Sequence, residues 1–233
     1  MSLEAWQRAL GSMVINPHRA GAPPPLRASE AALSQAERAW LDEAAESPGL
    51  LVMCLMERRE RRKKICATAP LTTAAMRRVG ELHRIDGYID AHPRPSAFAP
   101  LETMRFLERL LEESTDPLVA TMARFERAVA AQEVELPAVG TLRLHPWRVI
   151  VMPARAEDVI VSVALGETLP LLDRNPVIVG PGLPSLWREA SRAEDVVCSW
   201  LTRPRTMRDV ARVFPGFEPA VQGLVNAGVV CLG

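Results

Sequence analysis

Two clusters in this chain carry side chains able to do chemistry. His83, Asp86 and Asp90 fall at i, i+3 and i+7, on one face of a helix, with His92 close behind. Histidine and carboxylates at that spacing suit a divalent metal. A wet acidic helix face explains them equally well, a polar contact with a partner protein better, so no metal site is assigned. The second cluster is basic. Residues 57–64 hold six basic against two acidic side chains, including Arg58, Arg61 and Arg62. Nucleic-acid binding needs stacking aromatics or groove-reading partners interleaved with the cations, and none is present here. A solvated helix end with cations at the negative pole of the helix is one reading. Holding the acidic positions of a peptide is the other. No G-x-S-x-G, Walker loop or G-x-G-x-x-G occurs, and Gly180-Pro-Gly182 reads as a turn. No catalytic residue is assigned.

The totals narrow the classes further. Lysine plus arginine equals aspartate plus glutamate, 28 against 28, so no global attraction to nucleic acid or to an anionic membrane follows. Cys54, Cys66, Cys198 and Cys231 are far apart and form no C-x-x-C pair, which argues against a zinc knuckle or a disulfide framework. Reduced thiols in a cytoplasmic protein are expected. The opening Met-Ser-Leu-Glu-Ala-Trp mixes charge into apolar positions and does not read as a signal peptide. No apolar run of transmembrane length occurs.

The elements that must position these residues divide near residue 136. Residues 1–135 read as all-helical. Leu3, Trp6, Leu10 and Met13 mark a first amphipathic helix, and Pro23-Pro24-Pro25 ends it. Ser34 with Glu37 forms a capping box, Ser47-Pro48 opens the next helix, and Leu50–Met56 is apolar on every side, as in a buried central helix. A helix from Thr72 to about Asp90 follows, then one carrying Leu101, Met104, Leu107 and Leu111. Another starts at Asp116-Pro117 with Leu118, Met122, Phe125 and Val129 along one side.

Residues 136–233 change texture. Thr141–Leu144, Trp147–Met152, Val159–Leu165 and Val177–Val179 are short β-branched runs that read as strands. Leu186, Ala190, Ala193, Val197 and Trp200 then trace a helical stripe. Thr206 caps a second helix through Asp209, and a third runs from Glu218 to Asn226. Gly228 ends it, and Val229–Leu232 is a strand. Three strands with three helices make a winged-helix domain, and the whole an α+β protein. Such a module reads DNA or captures a peptide. The third helix offers Glu218, Gln222 and Asn226 and no lysine or arginine, which disfavours DNA. For a peptide, the segment Pro176–Val179 is expected to be an open sheet edge. A wing that merely pads the helical domain fits the pattern as well.

The string from Asn175-Pro-Val-Ile-Val-Gly through Trp200-Leu-Thr-Arg-Pro-Arg-Thr-Met-Arg-Asp-Val to Leu224-Val-Asn-Ala-Gly-Val-Val resembles the recognition element of ribosomally made, modified peptides. Trp6-Gln-Arg-Ala-Leu and Asp116-Pro-Leu-Val-Ala-Thr-Met-Ala-Arg-Phe-Glu-Arg-Ala are similar to partner proteins of multinuclear non-heme iron oxidative enzymes, of the methanobactin and 3-thiaglutamate type. The resemblance implies a non-catalytic subunit in a heterodimer. Its helical domain would dock on a TIM-barrel oxidase, and its winged helix would hold the leader of a precursor peptide during natural-product biosynthesis. Iron belongs to the oxidase, and no cofactor is expected in this chain. Val177, Ile178 and Val179 would then pair with the leader, and Val221, Gln222, Leu224 and Val225 would bound its groove. Arg58, Arg61 and Arg62 are the further candidates for contact with the peptide. The alternative reading is a winged-helix transcription regulator.

Overall fold

The computed structural model describes residue 11 and residues 34–92, 99–131, 141–169 and 174–232. The expected first helix, the proline-rich stretch and the boundary near residue 136 lie outside them. The described chain is mixed α+β, with helices predominating and small antiparallel sheets.

Local capping starts several helices. Ser34 Oγ accepts from the Glu37 N–H, and the Glu37 carboxylate accepts from the Ser34 N–H at 2.7 Å, opening α1 (Gln35–Ala45). Next come α2 (Pro48–Thr68), α3 (Pro70–Arg78), α4 (His83–Ala91), α5 (Ala99–Glu113) and α6 (Pro117–Ala130). The single helix expected from Thr72 to Asp90 is in fact α3 and α4. Gly80 separates them at φ +77°, a left-handed conformation that glycine adopts at little cost. Asp116 caps α6 by accepting from the Leu118 and Val119 N–H groups, both at 2.9 Å.

The chain forms two compact units. One comprises Met1–Thr68 with Gly80–Phe106, the other Ala69–Val79 with Leu107–Gly233. In the first unit, Ile65, Ile85, Ile89 and Phe106 are buried, and Tyr88 meets Phe106 edge to face with ring centres 5.3 Å apart. The first half of α2 is not the buried central helix its composition suggests. Leu50 is buried, while Leu51, Val52, Met53, Leu55 and Met56 are all more than half exposed.

The second unit holds a three-stranded antiparallel sheet in the order β2 (Val149–Met152), β3 (Asn175–Val179), β4 (Trp187–Glu189). Helix α6 packs on β2 and β3, and Phe125 meets Trp187 of β4 edge to face at 5.8 Å. On the other face Ile178 enters a core formed with α8 (Arg192–Trp200), α9 (Met207–Val213) and α10 (Glu218–Asn226). Strand β1 (Leu142–Leu144) pairs with β5 (Val230–Leu232) in a separate two-stranded sheet and bridges to Arg205.

The run Val159–Leu165, expected as a strand, belongs instead to α7 (Ala156–Leu165), between β2 and β3. Glu157 and Asp158 sit in its first turn, and Gly166 ends it at φ +73°. Those terminal signals and packing against α3 outweigh its β-branched composition. The stripe expected from Leu186 starts its helix only after Ser191, and the residues before it form β4.

Helix α3 begins unusually. Pro70 has no N–H and Ala69 has no capping side chain. Glu126 of α6 supplies both missing acceptors, taking the Leu71 N–H at 2.7 Å and the Thr72 N–H at 2.8 Å. Burial raises the pKa of this carboxyl, against the lowering effect of those hydrogen bonds.

Candidate functional site

Val177, Ile178 and Val179 lie on β3, and β3 is not an edge. It pairs with β2 on one side and β4 on the other, and all three residues are buried. The expected open margin is filled by Trp187–Glu189, a strand too short and too polar to stand out in the sequence. Val221 and Leu224 are equally inaccessible, packed with Ile178, Val197 and Val210. Gln222 is exposed and donates to Asn226 Oδ1 at 2.9 Å, and Val225 is half-buried. The β3–β4 turn closes on the end of α10. A Cβ at Gly180 would lie 1.8 Å from the Ala227 carbonyl oxygen, and one at Gly182 1.8 Å from that of Asn226. The groove expected between β3 and the third helix is solid core.

The basic run divides in the same way. Arg61 is 1% exposed and cannot meet a peptide. Its Nε lies 2.6 Å from Glu102 Oε1, and its remaining donors reach the carbonyls of Ile89 (3.3 Å) and His92 (2.9 Å), at the end of α4. Arg58 pairs with Asp90 at 2.8 Å and Arg62 with Asp86 at 3.2 Å, both partly exposed. Asp86 and Asp90, whose spacing with His83 would suit a metal, are therefore the counter-ions of the basic run. His83 Nδ1 lies 3.3 Å from the Gly80 carbonyl, and His92 stacks on Tyr88. Among the described residues, no three His, Cys, Asp or Glu side chains gather to hold a metal ion. The four cysteines are free thiols, and burial beside Glu194 and Asp195 pushes Cys198 up to about 12.

The margins of the sheet are β2 and β4. Gly180 donates to the Leu186 carbonyl and Ala190 to that of Pro176, so the even-numbered residues of β3 bond β4 and the odd-numbered ones bond β2. By the β2–β3 register, Ile150 and Met152 turn their backbone groups inward. The Val149 carbonyl and both backbone groups of Val151 then point away from the sheet. Among the described residues no strand covers them. On β4 the outward groups belong to Trp187 and Glu189. There the Arg188 side chain donates to the Glu189 carbonyl at 3.0 Å, and its carboxylate partner Glu194 holds it on the other face.

A cleft of about 390 Å³ lies along the β2 margin, lined by that strand with Leu111, Arg124, Arg127 and Trp147. Arg127 is paired with Glu108 at 2.9 Å, whereas Arg124 is exposed and has no partner among the described residues. Behind Trp147, the buried Arg148 guanidinium lies 4.2 Å over the indole and donates to the Ala131 carbonyl. Its Nε has no hydrogen-bond partner among the described residues, and burial lowers its pKa. Sequence reasoning passed over Arg124 and Trp147. The signal for Arg124 was its place off the apolar stripe of α6, next to Phe125; for Trp147, a bulky aromatic just ahead of a strand.

No family model, curated protein or solved structure matches the chain.

Proposed function

We propose that this chain is a non-catalytic partner subunit that holds an extended segment of a precursor peptide, its leader, and presents it to an iron-dependent oxidase of TIM-barrel type. The observation that carries the reading is the pair of sheet margins that no strand among the described residues covers. Backbone donors and acceptors on an exposed edge are a template for an incoming strand, and the one on β2 adjoins a cleft able to take side chains. The three helices α8–α10, with β5, β1 and Arg205 beside them, are read as the winged helix of such a recognition domain. The exposed apolar face of α2, with Leu51, Val52, Leu55 and Met56, supports docking on an enzyme, since apolar area of this kind costs free energy in water. Iron and redox chemistry belong to the oxidase, and the pair works as a cytoplasmic heterodimer. The competing reading, a DNA-reading winged helix, has no cation on α10 to meet phosphates.

Co-expression with a multinuclear iron oxidase encoded beside this chain tests the proposal. The two proteins are expected to co-elute, and a Leu51→Asp, Leu55→Asp double variant to elute alone. Separate elution of the wild-type pair, together with steeply salt-dependent binding to duplex DNA, would establish the regulator instead.

A further inference from the structure

From the β2 margin we infer that the guest is an acidic, β-branched extended segment, added as a strand along Val149–Met152 with a carboxylate on Arg124. This rests on the reading of the chain as a peptide-holding subunit and names where and what it holds. Three features converge. The Val149 carbonyl and the N–H and carbonyl of Val151 face outward, so a guest gains main-chain hydrogen bonds without displacing any part of the described chain. Val151 is 43% exposed, an apolar side chain on an edge where an alternate residue of a guest would cover it. The charge lining the cleft is one-sided. Among the described residues Arg124 is unpaired, Arg127 has Glu108, the buried Arg148 behind Trp147 has no carboxylate, and no acidic side chain lines the space.

In an added strand, alternate side chains turn to opposite faces. Those on the α6 side meet Leu111 and Arg124; those on the other lie beside Val151. The β4 margin is less suited to a guest. Arg188 already occupies the Glu189 carbonyl, and the Glu189 side chain accepts from Asn175 Nδ2 at 2.7 Å.

The test uses the full chain and a fluorescein-labelled synthetic peptide alternating valine and glutamate, with a valine–lysine counterpart. Fluorescence anisotropy is expected to saturate with the glutamate peptide only. Arg124→Glu should weaken that binding by about tenfold or more and bring in the lysine peptide, as opposite charges in contact require. Val151→Pro, which removes an outward donor, should abolish binding of the glutamate peptide. A glutamate probe N-methylated at every residue controls for any failure of that variant to fold, because neither of its edges can pair with a sheet margin and it should not bind. Failure of the glutamate peptide to saturate overturns the inference, as does equal affinity in Arg124→Glu. If Glu189→Pro abolishes binding while the β2 variants bind normally, the guest lies on β4. The site assigned here is then wrong, although the chain still holds peptides. Co-elution with the oxidase, read separately, decides the wider function whichever way the peptide experiment falls.

Discussion

Strands β2 and β3 lie side by side and are built from nearly the same residues, Val-Ile-Val-Met against Asn-Pro-Val-Ile-Val. One is a margin beside an open cleft, and the other is sealed between two neighbours. Composition does not distinguish them. The difference comes from a third segment, Trp187–Glu189, which covers β3, while no strand among the described residues covers the outer side of β2. Being an edge is thus a property of the sheet rather than of the strand. A valine-rich run marks where pairing is favourable but not which side is already taken. The basic run of α2 repeats the contrast, since Arg61 is core while Arg58 and Arg62, on either side of it, are surface.

The largest effect is expected within that run. Arg61→Met leaves Glu102 buried without its counter-ion and should cost about 3–5 kcal/mol in urea unfolding, whereas Arg58→Met should cost less than about 1 kcal/mol. Equal losses would erase the distinction between interior and surface arginines. In the sheet, Ile178→Ala should cost about 2–5 kcal/mol, the range for truncating a large core side chain. Val151→Ala on the margin should stay within about 0.5 kcal/mol. A large loss at Val151 would mean that β2 is covered after all. Gly182→Ala tests the seal at the end of α10, because its Cβ meets a backbone carbonyl that cannot swing aside; about 1–3 kcal/mol is expected from thermal melts.

The smallest effect concerns acid. Burial alone would raise the pKa of Glu194, but the Arg188 guanidinium and the Ser191 cap outweigh it and hold the carboxyl below its usual range. A lowered native pKa stabilises the fold above the ordinary carboxylate range, and that stabilisation is lost as pH falls through the native value. Melting temperature from neutral pH to about 3 should therefore fall more for the wild type than for Glu194→Gln. Parallel curves would remove the ion pair from the account of how β4 is tied to α8.

Much of the helical skeleton was legible because its signals are local. Ser34 with Glu37, Asp116 before Pro117 and Thr206 with Asp209 each announce a helix within four residues, and each cap is present. The third helix and the glycine that ends it were readable for the same reason. What escaped depends on distant partners. Glu102, which makes Arg61 interior, is 41 residues away, and β4 is three residues following Leu186, a non-glycine at φ 64°. The α7 run carried its own evidence in Glu157, Asp158 and Gly166, but a β-branched stretch invites a strand reading until α3 is seen against it. For the candidate site, the expectation of strand addition survives as a proposal. Its placement on Val177–Val179, Val221 and Leu224 does not, because these side chains are buried.

Because α3 borrows its first two acceptors from a carboxylate 55 and 54 residues away in sequence, this nine-residue helix has no means of starting by itself. The amides of Leu71 and Thr72 should exchange with solvent at the rate at which α6 departs, so two protons at one helix end report when the second unit comes apart.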